Sequence, residues 1–248
     1  MRYARHLALP QIGEEGQRRL KAARVLIVGV GGLGSATALY LAGAGVGRIG
    51  IIDDDDVSFP DLQRQVLHGE GTLDRPKVES AAARLADLNR DVAVETFPER
   101  FDRTIGRRIA AGYDLIVDGA DNFETRYAIN AVCLDLGIPY VYGAIFRLEG
   151  QTSLLCAGGG PCYRCLFPEP PSPETVLTGE QAGILGAVPG TIGTLQATEA
   201  IEWIVGIGAP LVGRLLVYDA AALRFEEISI ERNRHCPACG DGRHTPHR

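Results

Sequence analysis

Four cysteines near the end of the chain fall into two C-x-x-C pairs, Cys162 with Cys165 in CYRC and Cys236 with Cys239 in CPAC. Two knuckles of this spacing supply the four thiolates of a tetrahedral zinc site, and a closed four-thiolate site is structural rather than catalytic. A redox role is the weaker reading, because neither pair follows a thioredoxin-like strand–helix junction. Cys133 in mid-helix and Cys156 at a strand end read as small core residues. His235, His244 and His247 flank the last knuckle and are surplus as ligands.

A second constellation begins at GVGGLG, residues 29–34, between a short apolar run and a small-residue helix. Strand, glycine turn, helix, strand, acid is the order of a dinucleotide-type fingerprint. Gly29 permits the tight turn, Gly31 lets a phosphate approach the backbone, and Gly34 lets the helix lie close on the strand. The helix N-terminus then offers N–H groups and a positive dipole end to an anion. Asp53 closes the next apolar run, where a carboxylate can accept from a ribose hydroxyl. It opens a run of four aspartates, Asp53 to Asp56. Four adjacent carboxylates cannot all face one site, but their place at a strand's carboxyl end makes at least one a ligand group. Arg64 and Lys77 follow, and with Arg5 they could neutralise a polyphosphate. Asp121, beside Asn122, either caps a helix or holds a Mg²⁺ that bridges phosphates. No GxxxxGK[ST] motif is present, so the chain is not a P-loop protein.

The elements that must position these groups follow from hydrophobic periodicity. A charged helix precedes residue 23. Strands are predicted at 24–28, 48–52, 92–97, 115–117 and 139–143, with helices at 32–44, 77–88, 104–111 and 123–136 between them. Residues 53–75 form a polar loop longer than a strand–helix connection needs, which points to function. After residue 150 the pattern changes to an antiparallel strand at 150–156, a helix at 189–205 and strands at 215–218 and 223–230. This predicts an α/β fold: a Rossmann-like, mostly parallel sheet with helices on both faces, continued by antiparallel strands and the four-cysteine zinc site. We read one domain, 1–248, with a nucleotide half (1–148) and a second, carrier-binding and zinc half (149–248).

The 248 residues carry 46% hydrophobic and 23% charged side chains, with a net charge of −6. An acidic balance argues against nucleic acid as the main partner. No apolar run reaches membrane-spanning length, and the first residues are too polar for a signal peptide. Six cysteines are too few for a disulfide scaffold, and a cytoplasmic location is expected.

Taken together, the motifs RYARH (2–6), GVGGLG (29–34), DDDDVSFPDLQRQ (53–65), PKVES (76–80), GADN (119–122), EGQ (149–151), CYRC (162–165), GTLQATEAIE (193–202) and CPAC (236–239) resemble the ThiF/MoeB/HesA family, over nearly the whole chain. Those adenylating enzymes are related to the ubiquitin-activating enzymes. The resemblance implies a homodimer that binds ATP and Mg²⁺ and adenylates the C-terminal Gly-Gly carboxylate of a ubiquitin-fold sulfur carrier, in molybdopterin, thiamine or related biosynthesis. It implies that Gly29, Gly31 and Gly32 form the phosphate-facing turn and that Asp53 takes the ribose. Asp55, Asp61, Gln65 and Asn122 would line the nucleotide site. Arg64 and Lys77 would bind phosphates, Asp121 would hold Mg²⁺, and Arg5 would be supplied across the dimer interface. Catalysis would rest on Arg64, Lys77, Asp121 and Arg5.

Two departures from the family pattern stand out. Asp61 occupies a position where the family usually has Asn; an added carboxylate near ATP would bind metal, be protonated, or weaken nucleotide binding. Gly179 stands where some relatives carry a cysteine, and no cysteine lies between 166 and 235. The expected reaction therefore stops at the acyl-adenylate, with sulfur brought by a separate donor. An NAD-dependent oxidoreductase explains GVGGLG and Asp53 but not Arg64, Lys77, Asp121 or the knuckles. A nucleotide-binding scaffold without catalysis is the third reading, and adenylation of another carboxylate, a peptide C-terminus for example, the fourth.

Overall fold

The runs at 25–28, 49–52 and 115–117, apolar on both faces, can be satisfied only inside a sheet covered by helices on both sides, whereas 93–97, with Glu95 and Thr96, suits an edge. The computed structural model, which describes residues 2–172 and 179–241, has that arrangement. After two N-terminal helices, α1 (Ala4–Leu7) and α2 (Gly13–Ala22), the chain alternates β1 (Arg24–Val28), α3 (Gly32–Ala44), β2 (Arg48–Ile52), α4 (Lys77–Leu88), β3 (Ala93–Phe97), α5 (Arg103–Ala110), β4 (Leu115–Asp118), α6 (Phe123–Leu136) and β5 (Tyr140–Phe146). It continues through β6 (Glu149–Leu155), α7 (Tyr163–Leu166), α8 (Gly179–Ala182), α9 (Ala187–Val205), β7 (Arg214–Asp219) and β8 (Arg224–Ser229). One eight-stranded sheet results, in the order β3-β2-β1-β4-β5-β6-β7-β8. The first five strands are parallel and the last three antiparallel, as expected.

Alternation along β1 splits the core. Val25 and Ile27 face one cluster with Leu20, Leu41, Val78, Leu85 and Ala197, under α2, α3, α4 and α9. Leu26 and Val28 face a second, with Phe101, Ile109, Ile129, Val132 and Cys133, under α5 and α6. Cys133 is a core residue, and Cys156 packs against the same cluster.

Two expectations are refined. β5 extends to Phe146 rather than residue 143 and pairs with β6 as a hairpin whose turn holds Arg147 at φ 55°. The long loop after β2 is closed at its base: Lys77 N–H donates to the Asp55 carbonyl at 2.9 Å, and Val57 N–H to the Arg75 carbonyl at 2.9 Å. Two 3-10 turns, Phe59–Asp61 and Glu70–Thr72, lie inside it.

No described helix is long and apolar enough to cross a membrane.

Candidate nucleotide site and cysteine cluster

Sheet register brings the site together. Val28 pairs with Ile52 on one side and Asp118 on the other, so the chains leaving β1, β2 and β4 emerge side by side. The strand order reverses between β1 and β4, which is where a doubly wound sheet opens a crevice at its carboxyl edge. Gly29, at φ 85°, turns the chain there; a Cβ on it would stand 2.8 Å from the Gly119 carbonyl. The two turns thus lie back to back. A Cβ on Gly34 would come 2.0 Å from the Gly29 carbonyl, so only glycine lets α3 start this close to its strand.

The glycine turn is fixed from two directions. Asp53 Oδ2 accepts the Val30 N–H at 2.8 Å, and its Oδ1 accepts the Asp55 N–H at 3.0 Å. Burial pushes the Asp53 carboxyl above its usual range against the pull of those N–H groups. On the other side, His68 Nε2 lies 3.0 Å from the Val30 carbonyl and its Nδ1 lies 2.9 Å from Ser80 Oγ. A carbonyl only accepts, so Nε2 carries the proton. Burial holds the His68 imidazole below its usual range, keeping it neutral. The Gln65 side chain lies over Gly31, with its buried Oε1 making no hydrogen bond.

Closure of the loop sets a charge cluster over the start of α3. Lys77, the first residue of α4, is 5% exposed, and its Nζ stands 2.8 Å from Asp55 Oδ2 and 3.8 Å from Asp61 Oδ2. Burial pulls the ammonium down, but Asp55, Asp53 and Asp61 outweigh it and hold it charged. Asp61 Oδ2 also takes the Ser58 hydroxyl at 2.8 Å and the Ser58 N–H at 3.2 Å, capping its own 3-10 turn. Its Oδ1 accepts from Arg64 Nη2 at 3.2 Å. Burial pushes the Asp61 carboxyl up, yet Ser58, Lys77 and Arg64 together bring it below its usual range. Without nucleotide it is therefore an ionised partner of both cations. Arg64 also bonds the Pro60 carbonyl at 3.1 Å, and its stem lies beside Gly32.

Asp121 and Asn122 leave β4 on the adjoining turn. Asn122 Oδ1 accepts the Thr125 N–H at 2.9 Å and is the cap of α6. That leaves Asp121 free of capping: its carboxylate is exposed and takes only an Asn122 side-chain contact at 3.3 Å among the described bonds. An exposed carboxylate beside a crevice lined with N–H groups suits a hard cation. Arg5 alone is not brought to the site. It lies on α1, whose neighbour Tyr3 is bonded by Asn89 at 2.9 Å, at the far ends of α3 and α4.

The four knuckle cysteines converge: Sγ atoms of Cys162 and Cys236 are 3.6 Å apart, Cys165 and Cys239 3.4 Å, and Cys162 and Cys165 3.9 Å. Tetrahedral zinc–thiolate bonds require sulfur separations of about 3.8 Å. The Asn233 and Ala238 N–H groups point at Cys165 and Cys236 sulfurs at 3.4 Å each, as expected around thiolates. The cluster is compatible with zinc. His235 is exposed outside it; His244 and His247 lie outside the described residues.

Sequence reasoning missed Ser58, His68, Asp118 and Arg126. Ser58 had a signal, the S-x-x-D spacing of a capping box. The others had none: a buried charge such as Asp118 or Arg126 on a strand or helix reads like a solvated one, and His68 lies in a polar loop.

Comparison with known proteins adds the following. The model of the ThiF family matches residues 3–238. The chain is 48% identical over 241 residues to a "SAMP-activating enzyme E1" of Haloferax volcanii, covering 97% of this chain and 89% of that protein. It is 46% identical over 245 residues to a "Sulfur carrier protein adenylyltransferase" of Thermus thermophilus, covering 97% and 90%. It is 45% identical to the "Adenylyltransferase and sulfurtransferase MOCS3" of Mus musculus, of whose length it spans 52%. Among solved structures, E. coli MccB with ATP superposes with a TM-score of 0.84 at 24% identity, over 97% of this chain and 74% of that one, which shows the shared fold.

Proposed function

The chain belongs to the ThiF family, and from that premise we propose that it is an ATP-dependent adenylyltransferase activating the C-terminal glycine carboxylate of a ubiquitin-fold sulfur carrier. The observation that carries this reading is the pair of cations, Arg64 with its stem beside Gly32 at the start of α3 and Lys77 buried against Asp55 and Asp61 in the same loop. That arrangement is suited to a triphosphate rather than to a hydride donor. Relatives that share 46–48% of its residues are named for adenylation of sulfur carriers or activation of a SAMP.

The chemistry follows from charge. The carrier carboxylate is ionised at neutral pH and needs no general base. It attacks the α-phosphorus; a carboxyl-oxygen–phosphorus bond forms, the α–β bridging bond breaks, and pyrophosphate leaves with the electron pair. Negative charge grows on the phosphoryl oxygens and the leaving group. The N–H groups of Gly31 and Gly32, Arg64 and Lys77 would stabilise that growth. Asp53 would accept from the ribose, and Asp55, Asp61, Gln65 and Asn122 would line the nucleotide. Asp121 would hold Mg²⁺, which supplies neutralisation of the phosphate charges. Arg5 would come from a second copy in a homodimer, so that activity depends on dimerisation.

Zinc on Cys162, Cys165, Cys236 and Cys239 would pin the second half, 149–248, where the carrier would dock against the nucleotide half, 1–148. The product would be the acyl-adenylate, with sulfur brought by a separate donor. ATP–pyrophosphate exchange, screened across purified ubiquitin-fold carriers ending in Gly-Gly, tests the reading: exchange that requires both Mg²⁺ and a carrier is expected. No exchange with any such carrier overturns it.

A further inference from the structure

Two charges beneath the Asp121 turn have no part in the roles assigned so far. Asp118 ends β4 with no exposed surface, and Arg126, in the first turn of α6, is 7% exposed. Buried charges are stable only when paired or hydrogen-bonded. An arginine at a helix N-terminus also faces the wrong end of the helix dipole. Its placement therefore needs a compensating contact.

The ion pair itself is a poor one. Arg126 Nε stands 3.9 Å from Asp118 Oδ2, and neither of these atoms makes a hydrogen bond. Both side chains are committed instead to the peptide between them. Asp118 Oδ1 accepts the Ala120 N–H at 3.0 Å, and Arg126 Nη2 donates to the Ala120 carbonyl at 2.8 Å. The guanidinium carbon also lies 5.8 and 5.9 Å from the centroids of the Phe123 and Tyr142 rings. Cation–π attraction of this kind fixes orientation as well as position. Ala120 is thus gripped at both its N–H and its carbonyl, one residue before Asp121. Its neighbour Gly119 is locked in turn, donating to the Val28 carbonyl at 2.8 Å.

We infer that Asp118 and Arg126 are positioning residues, a buried clamp on the Ala120 peptide that sets the direction in which Asp121 leaves the sheet. This rests on the reading in which Asp121 takes the Mg²⁺ of bound ATP. An exposed carboxylate on an unclamped turn would swing, and its contribution to a metal-bridged nucleotide would be diluted over its rotamers and backbone states. The clamp removes that freedom before the nucleotide arrives.

The test needs no carrier. ATP affinity is measured by titration calorimetry on the full chain, once with Mg²⁺ and once with EDTA, and the ratio gives the Mg²⁺-dependent gain. Arg126→Gln cannot reach the Ala120 carbonyl, and Asp118→Ala cannot accept its N–H; each is expected to cut the gain about tenfold, the loss of one charge-assisted hydrogen bond. ATP affinity in EDTA should stay at the wild-type value in both. Asp118→Asn keeps an acceptor for the Ala120 N–H and should restore most of the gain, whatever its melting temperature. A purely structural pair would lower the melting temperature and leave the ratio alone. Asp121→Ala separates the two readings. A gain that survives it overturns the magnesium assignment; a gain lost in Asp121→Ala but intact in folded Arg126→Gln and Asp118→Ala overturns the clamp. If Arg126→Gln does not fold, Asp118→Asn against Asp118→Ala decides, and equal losses in those two overturn the clamp.

Discussion

The Asp61 carboxylate sits between the two cations that a triphosphate would need. Lys77 and Arg64 lie 3.8 and 3.2 Å from its oxygens, and Ser58 fixes it with two hydrogen bonds. An ionised group there competes with phosphate for the same donors. Asp61→Asn keeps an oxygen for Ser58 and removes the competing charge. ATP affinity should then rise about fivefold, on the order of 1 kcal/mol for a partly screened pair; calorimetry on wild type and variant checks this. Weaker binding in the variant would instead mean that Asp61 serves the bound state. Asp118 poses a different question of charge. Burial raises its carboxyl to about 6, against the pull of Arg126 and of the Ala120 N–H and with a small push from Asp121. Between the ordinary carboxylate range and that value the folded chain binds more protons than the unfolded one. Asp118's contribution to stability therefore falls as pH rises through this window. Relative to Asp118→Asn, the wild type should lose about 2 kcal/mol of stability from pH 4 to pH 6.5. Urea unfolding of both proteins across that range tests it; parallel profiles would show that Asp118 does not titrate there.

Helix α3 joins the glycine turn to the rest of the core. It starts where Gly34 meets the Gly29 carbonyl and packs along α9, with Thr37 Oγ1 donating to the Gly193 carbonyl at 3.0 Å. Gly34→Ala would drive a methyl into that carbonyl. The expected cost is about 1–3 kcal/mol, seen as a fall of roughly 3–10 °C in melting temperature, with loss of ATP binding because the turn itself must shift. An unchanged melting curve would contradict the close approach. The same element explains what the sequence could reveal. β1, α3 and β2 were legible because apolar runs and a small-residue helix leave one arrangement in a parallel sheet, and the glycines mark the turn between them. Lys77 and Arg64 were legible as cations following an acidic loop. The encounter of Lys77 with Asp61 was not, because it depends on backbone bonds at Lys77–Asp55 and Val57–Arg75 that no side-chain period announces. The length of β5 was hidden for a similar reason: its hairpin turns on Arg147 at φ 55° rather than on a glycine. Arg126 lay beyond reach too, since a cation on a helix is ordinarily solvated.

Across the whole molecule, Arg5 is at the pole opposite the site. Arg2 Nη1 donates to the Leu88 carbonyl at 2.8 Å, and Asn89 Nδ2 donates to the Tyr3 hydroxyl at 2.9 Å. Those contacts tie the N-terminal segment to the C-terminal ends of α3 and α4, whose N-terminal ends carry Gly32 and Lys77. Thirteen residues of α3 span about 20 Å, so Arg5 cannot serve the phosphates of its own chain while the segment stays docked. If it serves any site, that site belongs to a second copy. The consequence is a complementation pattern. Arg5→Ala and Asp121→Ala should each abolish pyrophosphate exchange alone. In a mixed dimer the Arg5→Ala chain keeps Asp121 and receives Arg5 from its partner, so one of its two sites is whole. Random assortment after co-expression should then return about a quarter of wild-type activity. An Arg5 acting within its own chain would give none in the mixture, because no chain would carry both groups. Exchange by Arg5→Ala alone at the wild-type rate would remove Arg5 from the catalytic set and leave the segment only its docking role on α3 and α4.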